Sequence, residues 1–387
     1  MAPYNLALGY LRAFVTVLVL VHHSILAYVT FGRFDAQHYL SSTAPIVDSR
    51  RWFGFDVLVL FNDIYFMSLM FLLSGLFVWP SLARKGAARF VRDRLLRLGL
   101  PFALVVTLLM PLAYYPSFRM TGMEVGYLEF WRQTLLTGPW PGGPAWFVWL
   151  LLAFDGIAAG LYRVLPQTQV VPNPRVHPML SRPALFFAAL VAGSLLIYLP
   201  MVSIFGATLW FTVGPFSVWA CRLLLYAAYF FLGVALGGHG LERTLLAHDG
   251  ALARSRVTWV RAGLVSFAVA GLLQLARMGH RFPWPEAAWQ MLYGVVFVVA
   301  CAALGMGWLA LFLRHANRQA PLFDRLRDNA YGMYLIHYVF VIWLQFALLE
   351  FPLPAVAKAV VVFTVTLAFS WGTVAALRSI PAVARVL

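Results

Sequence analysis

Charge is what this sequence has little of. Asp, Glu, Lys and Arg make up only 11% of its 387 residues, where a soluble domain carries roughly a quarter. So few charges cannot cover a water-facing surface of this size, which excludes an ordinary soluble enzyme. Acids are the scarcer sign, 14 against 29 Lys and Arg, for a formal charge of +15. Cysteine is nearly absent: Cys221 and Cys301 both sit in apolar runs and read as small buried side chains, not as a disulfide framework. No basic segment precedes the first apolar run, so that run is expected to be a retained span and not a cleaved signal peptide. No repeat of 20 to 50 residues is visible, nor any polar stretch long enough for a second domain, and no metal site is expected.

What is present is apolar length. Hydrophobic residues make up 62% of the chain, and runs of about 20 recur from end to end, as spanning helices require. The expected fold is all-α: a polytopic integral membrane bundle, one domain over 1–387, with spans at 8–31, 57–79, 98–117, 144–165, 184–204, 217–238, 260–280, 287–313, 329–350 and 356–378. The loops alternate in basic content. Nineteen basic residues fall on the side that holds 80–97 and both termini, and eight on the other, which places the termini in the cytoplasm. The segments 32–56 and 118–143 then form the long outer loops. Because the arginines cluster between apolar runs, the basic balance points to topology and anionic lipid, and no nucleic-acid partner is expected.

Ionisable side chains inside lipid are costly and mark function. The first span, "LRAFVTVLVLVHHSILAY", holds Arg12, His22 and His23. At about 100° per residue, Arg12 and His23 return to within about 20° of one stripe, about 16 Å apart along the axis, while His22 points about 80° away. That arrangement reads as a polar track with a cation at one mouth and a base deep inside; the alternative is an interfacial arginine and packed histidines. Asp63 lies at nearly the depth of His23, where a carboxylate can orient an imidazole or simply be hydrogen-bonded in the packing. Asp155, Arg222 and His337 also fall within spans. Ser74-Gly75 reads as a point of close helix approach. In "ARKGAARFVRDRLLRLGLP", Arg94 and Arg97 are three apart and share a face on a helix, suited to a phosphorylated cofactor or to anionic lipid.

Together these stretches resemble the membrane acyltransferase-3 family. The opening span has its Arg-x10-His pattern, Arg12 to His23 followed by Ser24; "FLLSGLFVW" is similar to its Phe-Leu-Ser-Gly segment; "RDRLLRLGLP" to its Arg-x-x-Arg loop, at Arg94 and Arg97. "GPAWFVWLLL" is similar to its Trp-Phe motif, at Trp146 and Phe147, and "NAYGMYLIHYVFVIWLQ" to its late Tyr-x-x-x-His segment, at Tyr334 and His337. The resemblance runs from about 5 to 378, with two departures: His22 doubles the histidine, and there is no fused hydrolase-like domain after the last span.

The resemblance implies a multi-pass O-acyltransferase of the bacterial cytoplasmic (inner) membrane. It would move an acyl group, by default acetyl, from cytoplasmic acyl-CoA to a hydroxyl of an extracytoplasmic glycan or glycolipid, with acetyl-CoA as substrate and no permanently bound cofactor. It assigns His23 as general base, with an acyl-histidine as the competing version, and Arg12 at the mouth of the donor track. Arg94 and Arg97 would bind the CoA phosphates, and His22, Trp146, Tyr334 and His337 would line the pocket. Asp63 is the expected orienter of His23. The reading from a different class is a secondary transporter or flippase for a lipid or glycan, which also needs intramembrane Arg, His and Asp.

Overall fold

The structure, a computed structural model, describes residues 6–164 and 180–387. Arg175 and the last residue of the fourth expected span lie outside the described residues. Among the described residues ten helices are long and apolar enough to cross a membrane, one for each expected span. In chain order the main helices are α1 (Leu6–Ile25), α2 (Phe53–Gly75), α3 (Val78–Lys85), α4 (Ala87–Arg119), α5 (Tyr127–Leu136), α6 (Trp146–Val164), α7 (Pro183–Phe205), α8 (Leu223–His239), α9 (Arg256–Met278), α10 (Glu286–His315), α11 (Pro321–Ala347) and α12 (Ala355–Arg378). α1 packs against α2, α10, α11 and α12, and α9 and α7 lie outside α10.

The expected basic loop 80–97 is helical instead. Val78, Leu82, Ala87 and Phe90 are buried at near-helical spacing while Arg84, Arg89 and Arg92 stay exposed, so the segment folds as two amphipathic pieces. Gly86, at φ 74°, makes the break between them.

The third span is shaped by its prolines. α4 contains two π-helical turns, Leu95–Gly99 and Val105–Leu109, each ending two residues before a proline, Pro101 and Pro111. A proline inside a helix has no N–H for the carbonyl four residues back and its ring crowds that carbonyl. In lipid an abandoned carbonyl must find another donor. Arg97 O accepts from Tyr331 Oη at 2.6 Å, and Thr107 O accepts from Trp131 Nε1 at 2.8 Å. Pro116 repeats the pattern: Leu112 O accepts from Trp343 Nε1 at 2.9 Å. Two of these donors belong to α11, so the prolines stitch α4 to α11.

α2 and α8 meet along a glycine seam. A Cβ on Gly75 would lie 2.1 Å from Phe230 O, one on Gly233 2.2 Å from Leu72 O, and one on Gly237 2.0 Å from Leu76 O. Only hydrogen permits that backbone approach, the basis of small-residue packing in membranes.

Between α7 and α8 the chain makes a hairpin, which corrects the start of the sixth expected span: residues 217–222 precede the helix instead of opening it. β1 (Trp210–Val213) pairs antiparallel with β2 (Phe216–Trp219), Trp210 opposite Trp219, across a two-residue turn opened by Gly214 at φ 55°.

Gly233→Val should therefore destabilise the fold by about 1–3 kcal/mol or more, as overpacking does. The melting midpoint of the detergent-solubilised chain should fall, whereas Gly271→Ala, where a Cβ meets nothing within 4 Å, should leave it in place.

Candidate active site

The site is built where α1 meets α11. The two helices run parallel: Tyr10 Oη donates to Asp324 Oδ1 at 2.9 Å near their starts, and His23, in the last turn of α1, meets His337 past the middle of α11. Arg378 Nη1 donates to Asn329 Oδ1 at 3.0 Å, so the end of α12 lies beside the start of α11. That is the terminal face of the bundle; the opposite one is the loop face.

His23 Nδ1 and His337 Nε2 are 2.9 Å apart, and His337 Nδ1 is 2.7 Å from the carbonyl oxygen of Tyr334. A carbonyl only accepts, so His337 Nδ1 carries the proton and, in a neutral ring, its Nε2 is a bare acceptor. His23 Nδ1 then donates to it. The hydrogen-bond network therefore assigns the tautomers in series and leaves the His23 Nε2 lone pair free. His337 is fully buried and His23 is partly exposed, so the free nitrogen belongs to the accessible ring.

Several groups hold this dyad. Gln345 Nε2 donates to His23 O at 2.9 Å and Ser24 O at 3.2 Å, clamping the last turn of α1. The Tyr338 ring stands edge-on to His23, centroids 5.0 Å apart. Tyr334 Oη donates to Pro144 O, joining α11 to the segment before α6. There Gly143 adopts φ 45°, and a Cβ would press on Met110 Sδ at 2.5 Å and on the Tyr338 ring. Phe147, one residue into α6, packs edge-on against Tyr334 at 5.7 Å, and Trp146 stacks on Tyr226 at 5.5 Å.

Asp63 is not part of this arrangement, which corrects its expected role as orienter. Its carboxylate accepts from Arg222 Nη1 at 2.9 Å and Nη2 at 2.6 Å. The strongest available donor at that depth is a guanidinium, and the bidentate pair neutralises both charges. Arg222 is itself held over the Trp219 and Phe297 rings, 3.9 and 4.8 Å from their centroids. The position expected for Asp63 beside His23 is filled by His337. His22 points away, as its spacing predicts: its ring lies 5.2 Å from Phe66, and its buried Nδ1 has no partner.

Three arginines lie toward the terminal face from the dyad. Arg12, three helical turns before His23, is partly exposed and forms no ion pair among the described residues. Arg94 Nε lies 3.1 Å from Asp155 Oδ2, a carboxylate only 1% exposed, and its guanidinium sits over Phe90. Arg97 is exposed. The wide turn that begins at Leu95 separates them, so Arg94 turns toward α6 and Arg97 outward instead of sharing one face.

The outer segment between α1 and α2 is tied down over the loop face. Lys358 Nζ bonds Asp48 Oδ2 at 2.6 Å and Leu349 O at 3.1 Å, with both side chains at most 1% exposed. Farther out, Asp35 accepts the backbone N–H groups of His38 and Gln37, each at 2.9 Å. Those bonds, His38 first, hold its pKa below the ordinary carboxylate value.

Sequence reasoning did not single out Gln345, Tyr331, Tyr338, Gly143 or the Asp48–Lys358 pair. A lone glutamine in an apolar span and prolines four residues beyond each accepting carbonyl were the available signals. Among the described residues no group of His, Cys, Asp and Glu is arranged to hold a metal.

A sequence profile described as an acyltransferase domain, that of the acyltransferase-3 family, matches residues 5–375. No curated protein and no solved structure matches the chain.

Lys358→Met should leave Asp48 buried without its partner and cost about 3–5 kcal/mol, as breaking one half of a buried pair does. Adding Asp48→Leu should restore much of the loss, read as recovery of the melting midpoint in detergent.

Proposed function

The chain belongs to the acyltransferase-3 family, and from that premise we propose that it is an acyl-CoA-dependent O-acyltransferase. It transfers an acyl group, acetyl by default, to a hydroxyl of an extracytoplasmic glycan or glycolipid, with His23 as the general base. The observation that carries this reading is the series His23 Nδ1–His337 Nε2 at 2.9 Å and His337 Nδ1–Tyr334 O at 2.7 Å, which frees His23 Nε2.

The chemistry follows from that free nitrogen. His23 Nε2 takes the acceptor's hydroxyl proton as the oxygen attacks the thioester carbonyl; the carbon–sulfur bond breaks, and the thiolate takes the proton from Nε2. The products are an ester and free CoA thiol. While His23 is charged, its Nδ1–H points at the lone pair of His337, which does for this imidazolium what a carboxylate does in a hydrolase triad. His337 does not pass the proton on, because its own Nδ1–H is committed to a carbonyl.

The donor enters from the terminal face; the excess of basic residues there supports a cytoplasmic placement. Among the described residues Arg12 forms no ion pair there, Arg97 is exposed, and Arg94 is paired with Asp155 through Nε alone. Guanidinium groups at that mouth suit CoA phosphates. The rise of about 16 Å from Arg12 to His23 is on the scale of an extended pantetheine arm.

His23→Ala should abolish acyl transfer at unchanged membrane level, measured as thiol release from acetyl-CoA dependent on acceptor and as loss of the acyl mass increment from surface glycans. His337→Ala should reduce the rate by about 10²–10⁴-fold, and His22→Ala should do less. Full activity in His23→Ala would overturn the assignment. Intact-mass measurement after acetyl-CoA alone should show no adduct; an acetyl group on His23 would make it a nucleophile instead. Arg94→Ala with Arg97→Ala should weaken CoA binding in calorimetry, and unchanged binding would reassign these arginines to lipid contact.

A further inference from the structure

A band of aromatic rings runs from the dyad along the loop face. Tyr334 contacts His337 at 5.9 Å and Phe147 at 5.7 Å; Phe147 contacts Trp146 at 6.3 Å. Trp146 contacts Trp210 at 6.1 Å, and Trp210 stacks on Trp219 at 5.4 Å. The band ends where Arg222 lies over Trp219 and grips Asp63. Its inner members are buried, but Trp210 is 43% exposed and Trp146 and Trp219 are partly so.

Three features set this band apart from rings that merely mark a membrane interface. Its tryptophans contact one another, and the hairpin that carries two of them is fastened to the bundle. Trp219 Nε1 donates to Ala207 O at 2.7 Å and Trp149 Nε1 to Ser217 O at 3.0 Å. A Cβ on Gly142 would meet Ser217 Oγ at 2.4 Å, so the hairpin sits directly on the segment leading to α6. The third feature is the charge at the far end. Asp63 is 26% exposed although it lies within a spanning helix and is already paired. Each of its oxygens accepts one Arg222 nitrogen and keeps a second acceptor position for a hydroxyl donor. Partly exposed aromatic faces ending on a rigidly held carboxylate match a ligand with apolar ring faces and a rim of hydroxyl groups.

We propose that Trp146, Trp210 and Trp219, ending on Asp63, form the subsite that binds a polyhydroxylated sugar acceptor and directs one of its hydroxyls toward His23. The proposal rests on the acyl-transfer reading above and names where that reaction's acceptor lies. The Asp63–Arg222 pair then serves the acceptor and not the base.

The test uses the full chain expressed in a host whose surface glycans are analysed by mass spectrometry, with each purified variant titrated with CoA by calorimetry. Trp210→Ala and Asp63→Asn should each lower the acyl increment by about tenfold or more, the scale of truncating an anchor side chain, while CoA binds as in the unaltered chain. Trp210→Phe, which keeps a flat face, should recover most of the increment. Trp284→Ala removes a loop-face tryptophan whose ring contacts among the described residues are Phe282 and Trp289, neither in the band, and should have no effect. An unchanged increment in Trp210→Ala would reduce these rings to an interfacial belt and overturn the proposal. Parallel loss of increment and CoA binding would assign them to packing and also overturn it. If the unaltered chain adds no acyl mass to the glycans, the acyl-transfer reading itself falls, and this subsite falls with it.

Discussion

The hydrogen bond between His23 and His337 is the constraint around which the neighbouring elements are arranged. Two imidazoles can meet nitrogen to nitrogen only if one donates and the other accepts, and because Nδ1 of His23 faces Nε2 of His337, both rings must hold their proton on Nδ1. The Tyr334 carbonyl does this for His337, because a carbonyl has nothing to give. Distance is fixed by α1 and α11 lying parallel with Gln345 clamping the end of α1, and orientation by the Tyr338 ring against His23. Gly143 lacks a side chain where one would displace that ring.

A second layer of support comes from groups that water cannot reach. Hydrocarbon offers no replacement partner, so each carbonyl freed by a proline becomes a specific socket for a neighbouring donor. α4 uses this at Arg97, Thr107 and Leu112, with Tyr331, Trp131 and Trp343 supplying the bonds. Residues that would weaken a helix in water here define its contacts. The wide turns that accompany Pro101 and Pro111 also decide where the arginines point, which links the backbone chemistry of α4 to the electrostatics of the terminal face.

Much of this was legible in the sequence, and the parts that were not share a cause. Ten spans and the common stripe of Arg12 and His23 follow from hydropathy and helical period, which are local. His337 stood out as an ionisable residue in lipid, but its pairing with His23 did not. A carboxylate is the commoner companion of an imidazole, so depth alone pointed to Asp63. The competing bond, Asp63 to Arg222, joins residues 159 apart, and nothing in either local pattern announces it. The helical character of 78–94 was hidden by its charge, which resembles a loop until the buried positions are read at intervals of about four. The hairpin was missed because the ten residues from Trp210 to Trp219 carry too short and too apolar a pattern to separate from the sixth expected span, which took in 217–219.

The Asp48–Lys358 pair carries a consequence for the order of events during synthesis. Asp48 leaves the ribosome soon after the first span, while Lys358 arrives at the start of the last. Through the insertion of eight intervening spans the carboxylate has no cation to accompany it into the interior, so the outer segment has reason to stay open to water. The His23–His337 bond spans a similar separation, 314 residues against 310. Both the reactive pair and the fastening of the segment beside it are thus deferred to the end of translation, and an unfinished chain holds neither.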